Sequence, residues 1–156
     1  MDSEEISREE IGPTGEARFN INFYLGATLD DTLRQLSAPK SPLVFEKQSD
    51  EWYRLRSKSR ALQGTFFLRD ADDGLMEGIP TEIHQAMQAS LGMKPRSYLG
   101  YSRCEMGESR RDARKIAAFR GVFDYLRAQG NPVYAIRENM LGFGKSMFEQ
   151  EQATRS

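Results

Sequence analysis

The stretch that says most about the fold is residues 107–128, which read GESRRDARKIAAFRGVFDYLRA. Ser109 is a good helix N-cap, and Asp112 stands three positions later, which gives a capping-box-like pair. Small and apolar side chains then recur at helical spacing, at Ala113, Ile116, Ala117, Phe119, Phe123 and Leu126. The residues that follow are typical of a helix end: Gly130, Asn131 and Pro132. The sequence therefore predicts a helix from residue 109 to about 128 with one buried face.

Working outward from this helix, the chain predicts a sheet and further helices. Residues 18–25 alternate apolar with polar side chains, which favours a strand with one buried face. Thr28 can cap a short helix that carries leucines on one face, and Gly92 can end another. The other predicted elements are strands at Leu43–Lys47, Glu51–Ser59, Leu62–Arg69, 97–104 and Val133–Ile136, and a helix at Thr81–Leu91. We expect an α+β fold with a mainly antiparallel sheet and two or three helices.

Length and composition limit the class of protein. The chain has 156 residues and a mass of 17.8 kDa, which suits one domain. A single Cys (Cys104) excludes an intramolecular disulfide, and a single His (His84) excludes a histidine-rich metal site. No apolar run is long enough for a membrane span, and the first ten residues lack the apolar region of a secretion signal. We therefore expect a cytoplasmic protein with no membrane partner.

Charge is distributed unevenly along the chain. Residues 1–17 hold six acids against one arginine, a net of −5, and residues 94–130 hold nine bases against four acids, a net of +5. The formal net charge of −1 thus hides a dipolar molecule. We expect an acidic, flexible N-terminal tail at 1–17, a single domain at 18–138 and a C-terminal tail at 139–156.

The start of the predicted 109–128 helix carries an unusual charge pattern. Four bases, Arg110, Arg111, Arg114 and Lys115, crowd its first two turns. Cations there repel one another and oppose the helix dipole, which leaves positive charge at the N-terminus. An anion at the helix start would relieve both effects, and the phosphates of a nucleic acid fit that description. The alternative is that these bases form an ordinary solvated face.

Residues 107–118 also resemble a known family. Their pattern, Gly-x-Ser-Arg-Arg-x-Ala-Arg-x-x-Ala-Ala, is similar to the C-terminal helix of double-stranded RNA-binding domains, and Val122 and Leu126 extend the likeness to residues 107–126. The family order is helix, three strands, helix. The helix predicted at 81–91 interrupts that order here. Two interpretations stay open: a divergent or elaborated form of the family fold, or a convergent basic helix on another α+β fold.

The resemblance implies how the bases would act. In the family, this helix start places its bases on phosphates across the RNA major groove, while other elements touch the flanking minor grooves. It implies phosphate contacts by Arg110, Arg111 and Arg114, at the helix start marked by Ser109, with Lys115 as an auxiliary. Recognition would follow the shape of the duplex more than its sequence.

A second basic stripe lies within residues 52–60. Bases stand at every second residue, at Arg54, Arg56, Lys58 and Arg60, and Trp52 begins the same row. On a strand they would share one face, where a nucleic-acid backbone could neutralise them. The alternative is a solubilising edge or outer face, because basic side chains on an edge strand discourage aggregation. One continuous surface requires that this face adjoin the basic helix start.

An enzyme is the weakest interpretation. Asp70, Asp72, Asp73 and Glu77 resemble an incomplete calcium loop, and the spacing favours an Asp-Asp-Gly hairpin turn instead, although a metal-dependent activity at Asp70–Glu77 stays open. We expect no catalytic residue, no metal and no cofactor. The predicted function is non-catalytic binding of double-stranded RNA. The alternative is a regulatory protein-interaction module whose basic face docks an acidic partner, and a homodimer stays open.

Overall fold

The computed structural model describes residues 20–101, 110–138 and 144–147. Within these ranges the chain forms seven strands and four helices. In chain order they are β1 (Asn20–Leu25), α1 (Leu29–Ser37), β2 (Leu43–Lys47), β3 (Trp52–Ser57), β4 (Gln63–Asp70), α2 (Asp73–Glu77), α3 (Thr81–Leu91), β5 (Ser97–Tyr101), α4 (Arg110–Ala128), β6 (Val133–Glu138) and β7 (Gly144–Met147). The expected α+β class is confirmed.

All seven strands form one antiparallel sheet in the order β2-β3-β4-β5-β1-β6-β7. Strand β1 lies inside the sheet, where Leu25 pairs with Ser97 of β5 and with Val133 of β6. Because β5 and β6 are both antiparallel to β1, they are parallel to each other, and α4 connects them. This unit is a split β-α-β arrangement with β1 in the middle.

Helices α1 and α4 cover one side of the sheet, which we call the α4 face. The main core lies there, and its members include Ile21, Phe23, Leu25, Leu36, Leu55, Phe66, Leu99, Phe119, Val122, Phe123 and Leu126. Their exposed fractions are all 3% or lower. Full burial of one such side chain stabilises the fold by about 1.5–3 kcal/mol, so this layer is the main source of stability.

Helix α3 covers the opposite side, the α3 face, over the central strands only. Met87 and Leu91 of α3 pack there against Tyr24, Tyr98 and Tyr134. On β3, by contrast, Tyr53, Leu55 and Ser57 are buried on the α4 face, whereas the alternate residues Trp52, Arg54 and Arg56 are exposed. We call the α3 face of β2, β3 and β4 the open wing, because Val44, Trp52, Arg54 and Arg56 are exposed there. At its border, Phe67 of β4 is half-buried and packs against the cluster under α3.

The prediction that β1 has one buried face is wrong. Asn22 and Tyr24, on the α3 face, are 5% and 3% exposed, as deeply buried as their apolar neighbours. The reason is the position of β1, which has strands on both sides and helices over both faces. Periodicity in a single strand does not report how many layers cover it.

A buried polar cluster joins α1, β5 and the α4–β6 turn. The Asn131 side chain accepts from the Ala27 amide at 3.0 Å and donates to Thr32 Oγ1 at 3.1 Å and Gln35 Oε1 at 3.0 Å. Ser97 Oγ donates to the Ala27 carbonyl at 3.0 Å and lies 3.3 Å from Thr32 Oγ1. Asn131 is fully buried, and these contacts satisfy its oxygen and its amide group.

Three further predictions are corrected. The acidic segment at 70–74 is not a hairpin turn, because Asp72 caps the short helix α2 by accepting from the Leu75 amide at 2.8 Å. With α2, the described residues contain four helices, whereas two or three were expected. The expected C-terminal tail contains strand β7, whose Ser146 pairs with Ile136 of β6. The expected acidic tail at 1–17 lies outside the described residues.

Candidate nucleic-acid interface

The first half of α4 presents a basic face. Arg110, Ala113, Arg114 and Ala117 follow a spacing of three and four, so they share one side of the helix, and all four are exposed. No ion pair joins Arg110 or Arg114 to an acid in the part of the chain that the structure describes. We call this set the α4 basic face. The small alanines leave the backbone open to a ligand between the two guanidinium groups.

The exposure of this face corrects part of the predicted stripe. Ala113 and Ala117 were expected on the buried side, but the side that packs on the sheet is formed by Phe119, Val122, Phe123 and Leu126, with Ile116 half-buried. Burial by the core therefore begins after the first two turns. Lys115 is half-buried, Arg111 lies on α4, and Ser109, the predicted N-cap, lies outside the described residues.

The second half of α4 holds the basic face in place. The ring of Phe119 meets that of Phe23 edge-on, with centroids 5.9 Å apart. Tyr125 Oη donates to the Gln35 carbonyl at 2.6 Å and so links α4 to α1. The helix ends at Ala128, and Gly130 is one of the predicted stop residues; its φ of 81° lets the next amide, that of Asn131, donate to the Leu126 carbonyl at 3.0 Å. The α4 basic face is thus carried by a firmly anchored helix.

Only half of the second basic stripe lies on a strand. Arg54 and Arg56 share the open wing, as predicted, but β3 ends at Ser57. Lys58 and Arg60 lie in the turn before β4, where Lys58 Nζ donates to the Pro39 carbonyl at 2.6 Å and Arg60 has a φ of 64°. The prediction that four bases project from one face is therefore wrong for these two.

The two basic groups do not form one surface. Helix α4 packs on the side of the sheet that carries Leu55 and Phe66, whereas Arg54 and Arg56 alternate with Leu55 and project from the other side. The α4 basic face and the open wing therefore lie on opposite sides of the sheet. A single ligand surface that joins the two arginine pairs across the sheet is excluded.

Aromatic rings form a row across the α3 face that the sequence analysis missed. Trp52 and Phe67 meet edge-on at 5.2 Å, Phe67 stacks on Tyr98 at 5.2 Å, and Tyr98 lies 4.8 Å from Tyr24. The available signal was the Phe66-Phe67 pair, since neighbouring residues of a strand face opposite sides of a sheet. Phe66 enters the main core, so Phe67 must lie beside Trp52.

Gly100 of β5 makes room for this row. A Cβ atom at that position would lie 2.5 Å from Tyr98 Cε1 and 2.6 Å from Phe67 Cζ. The two rings therefore rest on the glycine backbone, where any larger residue would displace them. This close approach fixes Phe67, which in turn supports the exposed indole of Trp52.

The acidic segment and the histidine offer little for catalysis. Asp73, Glu77 and His84 line a shallow groove between α2 and α3. No three His, Cys, Asp or Glu side chains converge closely enough to hold a metal ion within residues 20–101, 110–138 and 144–147. Cys104 lies outside these ranges.

Comparisons with known proteins do not place the chain in a family. No protein-family model matches it, and neither the curated proteins nor the solved structures include a match. Among the helices that the structure describes, none is both long and apolar enough to span a membrane.

Proposed function

We propose that this protein binds double-stranded RNA without catalysis, through phosphate contacts from the α4 basic face. The observation that carries the proposal is the pair of exposed arginines, Arg110 and Arg114, on one side of an anchored helix. Arginine pairs strongly with phosphate because its planar fork can donate two parallel hydrogen bonds. A cytoplasmic location is part of the same proposal.

Electrostatics supports this choice of ligand. Both arginines lie in the first two turns of α4, where the helix dipole is positive and where they repel each other. Phosphate groups on the two strands across a groove would lower this energy, because they add negative charge at the helix start. Ala113 and Ala117 leave a backbone close enough for the duplex to approach.

The order of the elements is a second support. Helix α1, the strands β2, β3 and β4, and helix α4 follow the helix, three-strand, helix order of double-stranded RNA-binding domains, and both helices pack on the same face of the sheet. Helices α2 and α3 and strand β5 stand between β4 and α4, and the sheet has β1, β6 and β7 in addition. The likeness covers the order of five elements and the side of the sheet on which both helices pack.

The second candidate function is a protein-interaction module. It is favoured by the charge complementarity between the basic face and the segment 1–17, which has a net charge of −5. An acidic segment of this kind, from the same chain or from a partner or second copy, could neutralise Arg110 and Arg114 as phosphates would. On this view the same arginines would be needed for protein capture, and duplex RNA would not bind.

The proposal is tested by fluorescence anisotropy with a labelled RNA duplex of about 20 base pairs, the matching DNA duplex and single-stranded RNA, over a salt series. We expect tightest binding to the RNA duplex and a steep loss of affinity with salt. In Arg110→Ala/Arg114→Ala, the negative slope of log K against log salt should become shallower by about 2, one for each lost phosphate contact.

The matched control removes the same charge from the other side of the sheet. Arg54→Ala/Arg56→Ala should leave duplex affinity and its salt slope close to those of the parent protein. If duplex RNA does not bind at low salt, or if both double variants weaken duplex binding equally, the α4 basic face is not a duplex site.

A further inference from the structure

The open wing has the composition of a stacking surface. Trp52 is 38% exposed on strand β3, and Arg54 and Arg56 follow it on the same face. No described helix covers these side chains. We propose that this surface binds single-stranded nucleic acid, with a base stacked on Trp52 and phosphates held by the two arginines. The proposal concerns a second site and a second ligand, and it does not rest on duplex binding by α4.

Trp52 is held in place for stacking. Its ring packs edge-on to Phe67 with an interplanar angle of 78°, and Phe67 stacks on Tyr98 at 22°. Tyr98 and its neighbour Tyr24 are nearly fully buried, so the row is anchored in the covered part of the sheet. An aromatic ring fixed in this way binds a base with little loss of side-chain entropy. On neighbouring β4, Thr65 lies opposite Arg54 and Gln63 lies opposite Arg56, so two polar side chains border the arginines.

The position of β3 argues against a purely protective role for its arginines. Basic side chains commonly guard edge strands against pairing with other chains. Here β2 is the edge strand, and β3 pairs on both sides, Arg54 with Glu46 and with Thr65. An interior strand has no free edge to protect. Arg54 and Arg56 therefore add positive charge to an exposed face where no edge needs protection.

The charges of the surface suit a polyanion. Glu46 is the acid opposite Arg54, and the two form no ion pair within 4 Å, while Val44 lies opposite Arg56. Arg69, further along β4, lies 3.7 Å from Asp72. Arg54 and Arg56 stand about 6.6 Å apart along the strand, so each can meet a different phosphate of one extended strand.

The presence of Trp52 selects a single strand over other anions. Bases of a duplex are stacked on one another, so they cannot stack on a protein ring. Bases of a single strand are available for stacking, and aromatic side chains accept them with little regard to sequence. An acidic peptide would use the arginines but would gain much less from the indole.

Trp52 also provides the measurement, because it is the single tryptophan of the chain. Titration with single-stranded RNA and DNA oligonucleotides of about 12 nucleotides, a length within the range that one single-strand-binding sheet surface covers, should quench its fluorescence. Equal quenching by RNA and DNA would mean that the site reads bases and phosphates alone. Stronger quenching by RNA would add a contact to the 2′-hydroxyl group. Both results support the site.

Anisotropy with labelled oligonucleotides then tests each side chain. Trp52→Ala should weaken single-strand binding roughly tenfold, whereas Trp52→Phe, which keeps a flat ring, should retain most of the affinity. Arg54→Ala/Arg56→Ala should weaken binding and flatten its salt dependence. Arg110→Ala/Arg114→Ala removes the same charge from the other side of the sheet and should have little effect. Far-ultraviolet circular dichroism and a urea titration establish that each variant is folded.

Three results would overturn the proposal. They are the absence of Trp52 quenching by any single strand at low salt, equal losses in the two double-arginine variants, and an unchanged affinity in Trp52→Ala. The reciprocal design separates this site from the duplex site. Failure of single-strand binding at Trp52 would leave the duplex-binding proposal for α4 intact. Failure of duplex binding at α4 would leave the single-strand proposal for Trp52 intact.

Discussion

The two halves of the sheet differ in how they are covered. Strands β5, β1 and β6 have helices on both faces, and their side chains are buried on both, as Asn22, Tyr24 and Tyr98 show. Strands β2, β3 and β4 carry the open wing on one face, and β3 alternates between buried and exposed residues along its whole length. Burial on both faces is therefore confined to one part of the sheet, and the other part has one largely exposed face. The covered half holds the fold together, and the open wing keeps a face available.

The largest expected effect contrasts two aromatic residues of the same sheet face. Tyr24→Ala in the covered half removes a ring that is 3% exposed and should lower the free energy of unfolding by about 3–5 kcal/mol. Trp52→Ala in the open wing should lower it by about 1 kcal/mol, most of it from the lost contact with Phe67. Urea titration followed by circular dichroism measures both. Similar losses would mean that the wing is covered in solution.

The second contrast concerns polar side chains. Asn131→Ala breaks the buried cluster and leaves the Ala27 amide without its acceptor, which should cost about 2–3 kcal/mol. Ser57→Ala, at the end of β3, removes an acceptor from the Leu62 amide and should cost about 1 kcal/mol. The control is Gln129→Ala, at an exposed position two residues before Asn131. It should change the free energy of unfolding by less than about 0.5 kcal/mol. A larger loss in Ser57→Ala than in Asn131→Ala would reverse the assignment of stability to the covered half.

Much of this arrangement could be predicted where the signal is local. Thr28 caps α1 by accepting from the Asp31 amide, Gly92 and Gly130 end their helices with positive φ, and the β2–β4 strands fall near their predicted places. These elements depend on residues within a few positions of one another. The capping and turn residues carry their geometry in their own side chains or in the lack of one.

The rest depended on pairing between distant segments. That β1 lies between β5 and β6, and is therefore covered twice, is not encoded in its alternating pattern. The separation of Arg54 and Arg56 from the α4 basic face follows from the same long-range topology. The alternating row predicts a strand through Lys58, but the Ser57 carbonyl accepts from the Arg60 amide at 2.9 Å and closes a turn there.

A third prediction probes the border between the two halves. Gly100→Ala places a methyl group against the rings of Phe67 and Tyr98, and the partly exposed Phe67 ring can move toward solvent. We expect a loss of about 1–2 kcal/mol in the free energy of unfolding and a shift in Trp52 fluorescence, because Trp52 loses its packing partner. An unchanged emission spectrum would show that Phe67 does not hold the indole.

The smallest effect is expected for the arginines of the wing. Arg54→Ala/Arg56→Ala should change the free energy of unfolding by less than about 0.5 kcal/mol at low and at high salt, because both side chains are exposed and no ion pair joins them to an acid among the described residues. Urea titrations at low and high salt measure the difference. A clear destabilisation would indicate that these arginines hold the sheet together and are not kept for a ligand.

The central position of β1 has a consequence for folding during synthesis. Its partners β5 and β6 lie far along the chain, whereas α1 and the β2–β4 meander can form from neighbouring residues as they emerge. Contacts between distant segments form slowly because a long loop must close first. Among the described strands, the first to leave the ribosome is therefore one of the last to be paired. A chain interrupted before β6 carries β1 with unpaired backbone groups, ready to associate with other unfinished chains.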